Sequence, residues 1–293
     1  MKNSLSNFDT PKHRYLNVGC GRRYHRDWVN LDLESFDPAV ICHDLTGGIP
    51  FEESSFEAVY HSHVLEHLSP EQGQELIGEC FRVLKPGGVL RVVVPDLERI
   101  AQLYLNMHES AWAGDEASQI DYNWMKLELL DQLVREKSGG RMGRYMASRE
   151  IKNSEFVRSR VGDEMVACRV QQISESNQSW LGKIGTATFE FRKRMARRFV
   201  RWTMGRNAES AFDEGLFRSQ GEIHRWMYDR FSLREVCRKS GFRDFQVREA
   251  NESYIPEYQQ FELDASGSQI RKPDSIFIEC IKPVGKIASN VAA

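Results

Sequence analysis

The run Leu16-Asn17-Val18-Gly19-Cys20-Gly21, with Asp32 eleven positions after Gly21 at the end of Trp28-Val29-Asn30-Leu31-Asp32-Leu33, constrains this chain more than any other feature. An apolar run that breaks at Gly-x-Gly reads as a buried strand whose exit lets bare backbone press against a ligand. An acidic residue that ends the next apolar run can accept hydrogen bonds from a ribose diol. Together they describe a nucleotide or nucleoside cofactor site. Only six residues separate Gly21 from Trp28, and Arg22-Arg23 stand where a third glycine is usual. A parallel crossover normally takes about a dozen residues or more, so the first helix is reduced to a turn or the second strand is entered by an unusual path. Pyrophosphate binding relies on a helix N-terminus directly after the glycines, so the short link disfavours a dinucleotide and favours a nucleoside without one. Arg22 or Arg23 is then expected to contact a cofactor carboxylate or an anionic substrate, unless both are solvated.

Strand-like and helix-like runs alternate up to about residue 100, the pattern of a mostly parallel sheet flanked by helices. Strands are expected near 15–19, 28–33, 39–43, 56–61 and 88–94. Between the last two, Ser69 as cap, Pro70 in the first turn and Gln72 at capping-box spacing open a helix whose apolar face is Leu76, Ile77, Cys80, Phe81 and Leu84. Pro86-Gly87-Gly88 stops it and leads into the apolar run Val89 to Val94, a central strand. From 97 to 221 the texture becomes polar and helical, which predicts a helical insertion or lid. Phe231 to Cys237, closing on Gly241, reads as a last capped helix. Phe245 to Arg248 and Ser275 to Ile281 would complete the sheet at its edge, with a frayed tail from Pro283. The core is therefore expected over 1–96 and 222–293.

With 41% hydrophobic and 28% charged residues the chain has the composition of an ordinary globule, and its net charge of -2 argues against nucleic acid as a whole-protein partner. No apolar run reaches about 18 residues and the N-terminal stretch is polar, so neither a membrane span nor a secretory signal is predicted and the expected location is cytoplasmic. Six cysteines (Cys20, Cys42, Cys80, Cys168, Cys237, Cys280) without a C-x-x-C pair fit reduced thiols rather than a disulfide frame or a metal site.

Further residues sharpen the picture. Asp44-Leu45 follows the third strand, His61-Ser62-His63 ends the fourth, and Leu84-Lys85-Pro86-Gly87-Gly88 precedes the fifth. In this order the segments about 14–96, and more weakly 222–250, resemble the class I S-adenosylmethionine-dependent methyltransferases. The nearest likeness is to the methyltransferase-11-like branch, found among polysaccharide and natural-product enzymes. That resemblance implies a Rossmann-like, doubly wound, mostly parallel seven-stranded α/β sheet, S-adenosyl-L-methionine as cofactor, and a sugar, polysaccharide precursor or other small metabolite as methyl acceptor. It also implies that Asn17, Gly19, Cys20 and Gly21 lie against the methionine part, that Asp32 and Leu33 take the ribose, and that Asp44 and Leu45 flank the adenine. His61 and Ser62 would sit near the methionine end. Glu66 and His67 read as structural.

Methyl transfer to a hydroxyl needs alignment and a base for the acceptor proton. His224, in Gly221-Glu222-Ile223-His224-Arg225, is the first candidate, since an imidazole's ordinary pKa suits that role. His63 and Asp96 are the reserves. A non-catalytic scaffold that keeps the fold, or an NAD-linked oxidoreductase, are the competing classes; the retention of Gly19, Gly21, Asp32 and Asp44 speaks against the first and the missing helix against the second. Between Phe191 and Arg206 lie seven basic residues and no acidic one. With Phe191, Met195, Phe199 and Trp202 on one helical side, this segment has the pattern either of a helix that packs its aromatic face on the fold with a solvated basic face, the more common case, or of an amphipathic helix in peripheral contact with the anionic inner membrane face.

Overall fold

The computed structural model describes residues 13–35, 37–162, 183–219 and 221–285. The predicted frayed tail from Pro283 and Cys168 lie largely or wholly outside them. Seven strands form the main sheet: β1 (Tyr15–Val18), β2 (Val29–Asp32), β3 (Val40–Cys42), β4 (Phe56–Ser62), β5 (Leu84–Pro95), β6 (Arg243–Arg248) and β7 (Ser275–Ile281). Their order is β3-β2-β1-β4-β5-β7-β6; the first five run parallel, and β7 inserts antiparallel between β5 and β6. The expected α/β sheet is therefore present, with the last two strands completing one edge.

Side chains alternate across the strands, so the sheet has two apolar faces. Leu16, Val18, Leu31, Val59, Leu90, Val92 and Ile278 point to one, which α1 (Pro70–Val83) and α8 (Arg230–Lys239) cover with Leu76, Ile77, Cys80, Val83, Leu233 and Cys237. Both helices start as capping boxes, Ser69 with Gln72 and Asp229 with Ser232, each satisfying two otherwise orphaned backbone donors. Leu84, assigned from sequence to the face of α1, belongs instead to β5 and pairs with Phe56. The helix stops early because a residue preceding proline avoids the helical region, and Lys85 precedes Pro86.

The opposite face shows Tyr15, Trp28, Ala58, Tyr60, Val89, Val93 and Phe277, and it is covered by residues 249–274. This segment holds a short 3-10 turn, Tyr258–Phe261, and a two-residue ribbon pairing Ala265–Ser266 with Gln269–Ile270. Phe261 meets Trp28 edge-on with ring centroids 5.3 Å apart and Tyr15 at 5.8 Å. Arg91, buried on β5, clamps the segment: its guanidinium donates to Asp264 at 2.7 Å and Glu279 at 2.9 Å, and to the backbone carbonyls of Glu249, Ala250 and Glu252. Asp264 also accepts from the hydroxyls of Tyr60 (2.6 Å) and Tyr258 (2.7 Å). A buried charge is tolerable only when paired and hydrogen-bonded this fully.

The chain divides into two compact units, the described residues up to Ala101 together with those from Arg225, and Gln102–His224. The second unit takes in most of α2 (Leu97–Trp112), then α3 (Glu116–Val134), α4 (Gly140–Met146), α5 (Ser154–Val161), α6 (Lys183–Met204) and α7 (Arg206–Arg218). Its interior holds Trp124, Met125, Met142, Met146, Val157 and Val161. The buried Glu128 joins α3 to α5, accepting from Trp124 Nε1 at 2.8 Å and Arg160 at 2.6 Å. Asp131 receives the amides of Arg141 and Met142 at the start of α4, where unpaired donors and the helix dipole favour an anion.

Candidate cofactor site

Register brings the predicted residues to one sheet edge. Val18 lies level with Leu31 on β2 and with His61 on β4, and Asp32 lies level with Cys42 on β3. Gly19, Asp32, Ser62 and Asp44 therefore all start from neighbouring carboxyl ends of parallel strands, where open α/β sheets bind ligands.

The link from β1 to β2 contains no helix. It closes through turns, with Arg23 N donating to Cys20 O at 2.9 Å and Trp28 N to His25 O at 3.0 Å. Two asparagines hold it from beneath. Asn17 donates to Arg23 O at 3.0 Å and to Asn30 Oδ1 at 3.3 Å; Asn30 in turn donates to the carbonyls of His25 and Trp28, both at 2.9 Å. Asn17, expected against the cofactor, is thus a buried anchor for the loop. Phe261 packs from the far side, 5.1 Å from His25. The sequence alternative of a helix reduced to turns is the one adopted, and side-chain hydrogen bonds replace the missing helical ladder. Arg22 and Arg23 are exposed on it.

Gly19 and Gly21 both adopt left-handed backbone, φ 64° and 54°, but their surroundings differ. A Cβ on Gly19 would meet Val64 Cγ2 at 2.4 Å, so this glycine lets the loop after β1 pack on the loop after β4. A Cβ on Gly21 would meet nothing within 4 Å. The open side of the turn is at Gly21, and there the Asp32 carboxylate accepts the Gly21 amide at 2.7 Å and the Glu34 amide at 3.2 Å. An acidic group held on a bare glycine turn, with exposed Leu33 beside it, suits a ribose and the apolar edge of a base. Cys20 contributes backbone: its amide extends the β1–β2 ladder to Leu31 O, and burial, aided by Asp32, pushes its thiol up to about 12. Asp44 caps the 3-10 turn Leu45–Gly47 by accepting from Thr46 N, which holds its carboxyl below the usual range. Its cap role leaves Leu45 at the first position of the turn.

At the end of β4, His61 is fully buried and its ring nitrogens have no hydrogen-bond partner among the described residues; burial pushes it down to about 4, so it is neutral at pH 7. Ser62 is half-buried at the strand exit. His63 has left-handed backbone, φ 55°, which non-glycine residues seldom adopt and histidine more often than most. Its Nδ1 stands 2.9 Å from Glu66 and its Nε2 2.9 Å from the Ser275 hydroxyl. The Ser275 hydroxyl can donate to Nε2 of a neutral ring, and burial pushes His63 down to about 3. Nε2 is occupied in this arrangement, and Nδ1 faces the Glu66 carboxylate. Ser275 N donates to Lys272 O, so the Ser275–His63–Glu66 row lacks the free amide that an oxyanion hole would draw from the serine.

Asp96 caps α2, accepting the Arg99 amide at 3.1 Å, and burial raises its carboxyl. His224 ends the helical unit, buried, with its amide donating to Gln132 O at 3.1 Å. Three residues that position the site escaped sequence reading: Val64, Asn30 and Phe261. Asn30 sits where a strand interior would ordinarily be apolar, which is the one signal that marked it. Val64 and Phe261 are ordinary apolar residues and carried none.

Residues 16–92 match the family described as "Methyltransferase domain". A protein of Mycolicibacterium smegmatis named "Probable S-adenosylmethionine-dependent methyltransferase" is 32% identical over 99 residues, which is 28% of this chain and 37% of that protein. An uncharacterised methyltransferase of Synechocystis is 42% identical over 55 residues, 19% of this chain and 25% of its own. The chain thus spans well under half the length of either relative. Among solved structures, a SAM-dependent methyltransferase from Archaeoglobus fulgidus aligns over 92% of this chain and 86% of its own, at 12% identity and a TM-score of 0.35. The family match falls on the strands that carry the glycine turn and Asp32: residues 16–92 match a methyltransferase domain and are similar to an S-adenosylmethionine-dependent methyltransferase.

Proposed function

We propose that the chain transfers a methyl group from S-adenosylmethionine to a hydroxyl on a sugar, a polysaccharide precursor or another small metabolite. The observation that carries the reading is the open Gly21 turn with the Asp32 carboxylate 2.7 Å from its amide, level with the ends of β1, β2 and β4. When bound, S-adenosylmethionine supplies a methyl on a sulfonium, ready for displacement. Asp32 and Leu33 would hold the ribose, Asp44 and Leu45 the adenine, and the Gly19–Gly21 backbone the methionine part. Ser62 and the buried, neutral His61 border that end without adding charge beside a sulfonium.

The acceptor must be aligned with the methyl and give up its proton as the new O–C bond forms. His224 is the proposed base, with His63 and Asp96 in reserve. Of these, His63 would have to release Ser275 before accepting a proton, whereas Asp96 holds the Arg99 amide on Oδ1 and keeps Oδ2 for one.

Calorimetry with S-adenosylmethionine, S-adenosylhomocysteine and NAD tests the cofactor: binding of the first two and not the third is expected, and binding of neither class would overturn the reading. Labelled methyl transfer onto pooled sugar, cell-envelope and metabolite acceptors tests the acceptor class. Intact transfer by His224→Ala would remove that residue from the role.

A further inference from the structure

Helices α6 and α7 form a hairpin whose inner side is ionic. Arg197 pairs with Asp213 at 2.9 Å and Glu209 at 3.5 Å, and Arg201 with Glu209 at 3.7 Å. At about 100° per residue, Phe191, Trp202, Met195 and Phe199 fall within an arc of roughly 80° on the side of α6 turned away from these pairs. That arc is open to solvent: Phe191 is 65% exposed, Phe199 63% and Trp202 82%. Arg194 and Arg198 border it on one side and Arg192 on the other, all exposed and without an ion pair among the described residues.

Single exposed apolar side chains need no explanation, but four aligned on one helix, with cations on both sides, do. We propose that this face of α6 docks onto an anionic lipid surface, with the aromatic and methionine side chains seated among the acyl-chain ends of the headgroup layer. Arg192, Arg194 and Arg198 then stand at the height of the lipid phosphates, their stems lying along the apolar boundary. The association is peripheral, since no helix among the described residues is long and apolar enough to cross a membrane.

Charge selects this occupant over the alternatives. Packing the same face on a second copy would set Arg192, Arg194 and Arg198 against their own like charges, which a two-fold contact cannot avoid. Nucleic acid would want cations at the centre of the face, where this helix has Phe, Met and Trp. The pairing of Arg197 and Arg201 with α7 leaves Arg192, Arg194 and Arg198 to flank the apolar side, the side that a lipid phosphate would meet.

Sedimentation of the full chain with vesicles tests the proposal. Binding is expected to vesicles containing phosphatidylglycerol, to weaken as salt is raised, and to be slight with phosphatidylcholine alone. Phe199→Ala combined with Trp202→Ala should weaken it at least tenfold. Each of Arg192→Gln and Arg198→Gln should weaken it about fivefold, since a cation at such a surface contributes about that much. All four positions are exposed, and unchanged circular dichroism confirms that the variants fold. No binding to anionic vesicles, or binding indifferent to these substitutions, overturns the proposal. So does a sedimentation-equilibrium dimer that the same variants dissociate, or RNA binding that survives loss of Phe199 and Trp202.

Discussion

Gly19 and Gly21 share a left-handed backbone and differ in what surrounds them, so alanine at each separates strain from collision. Left-handed backbone costs an alanine about 1–2 kcal/mol. At Gly21 that is the whole expected loss, because the new methyl would enter open space. At Gly19 the methyl would lie 2.4 Å from Val64 Cγ2. Val64 is β-branched and stiff at χ1, so the loop after β4 has to shift, and overpacking of this kind costs about 1–3 kcal/mol more. Gly19→Ala should therefore destabilise by about 2–5 kcal/mol and Gly21→Ala by about 1–2 kcal/mol. Urea unfolding read at the midpoint with unchanged slope measures both. Val64→Ala in the Gly19→Ala background should recover the collision part only. The affinities should invert the order relative to cost: Gly21→Ala, mild for folding, places its methyl where S-adenosylmethionine would lie and should weaken calorimetric binding more per unit of lost stability. Equal destabilisation at the two glycines, or no recovery from Val64→Ala, would refute the assignment of Gly19 to loop-on-loop packing.

Asp32→Ala should weaken S-adenosylmethionine binding about 10–100-fold, the worth of charge-assisted hydrogen bonds to a diol, and calorimetry at constant salt reads it. His61 gives a pH test. Its folded pKa, about 4, lies below the ordinary value near 6.5, so as pH falls below 6.5 the unfolded chain takes the proton first and stability drops, by about 3 kcal/mol on reaching pH 4. Denaturation at pH 7 and pH 4.5 should show a loss in the native chain, to which the buried His63 also contributes, that exceeds the loss in His61→Leu by about 2–3 kcal/mol. Arg91→Met strands Asp264 and Glu279 in the interior and should cost about 3–5 kcal/mol, with residues 249–274 becoming the first site cut in limited proteolysis. An unchanged unfolding midpoint would mean that the clamp contributes nothing.

Much of this fold was legible because its signals are local. The capping box at Ser69 follows from spacing, and the parallel strands announce themselves as apolar runs closed by Gly, Asp or His. The positions of Gly19, Asp32, Asp44 and Ser62 at one edge follow from that pattern once the strands pair in parallel. What escaped depends on partners distant in sequence. Asn17 looks from its neighbours like a ligand contact, and becomes an anchor only because register sets Asn30 beside it. His63 reads as a free imidazole until Ser275, more than two hundred residues on, closes its second nitrogen. The cover on the Trp28 face could not be foreseen either, since nothing within 249–274 has helical or strand periodicity to advertise that it fills a helix's place.

That cover has a consequence for how the protein is made. Trp28 leaves the ribosome 233 residues ahead of Phe261 (261 − 28), the ring that shields it. At roughly 5–20 residues per second the delay is on the order of 10–50 s. Through that interval Tyr15, Trp28 and Tyr60 form an uncovered aromatic sheet face on a nascent chain, and the glycine turn lacks its backing. The backing of the glycine turn thus comes late in synthesis, after Phe261 has emerged, and a fragment ending at the close of β5 would present to chaperones an exposed half of a core.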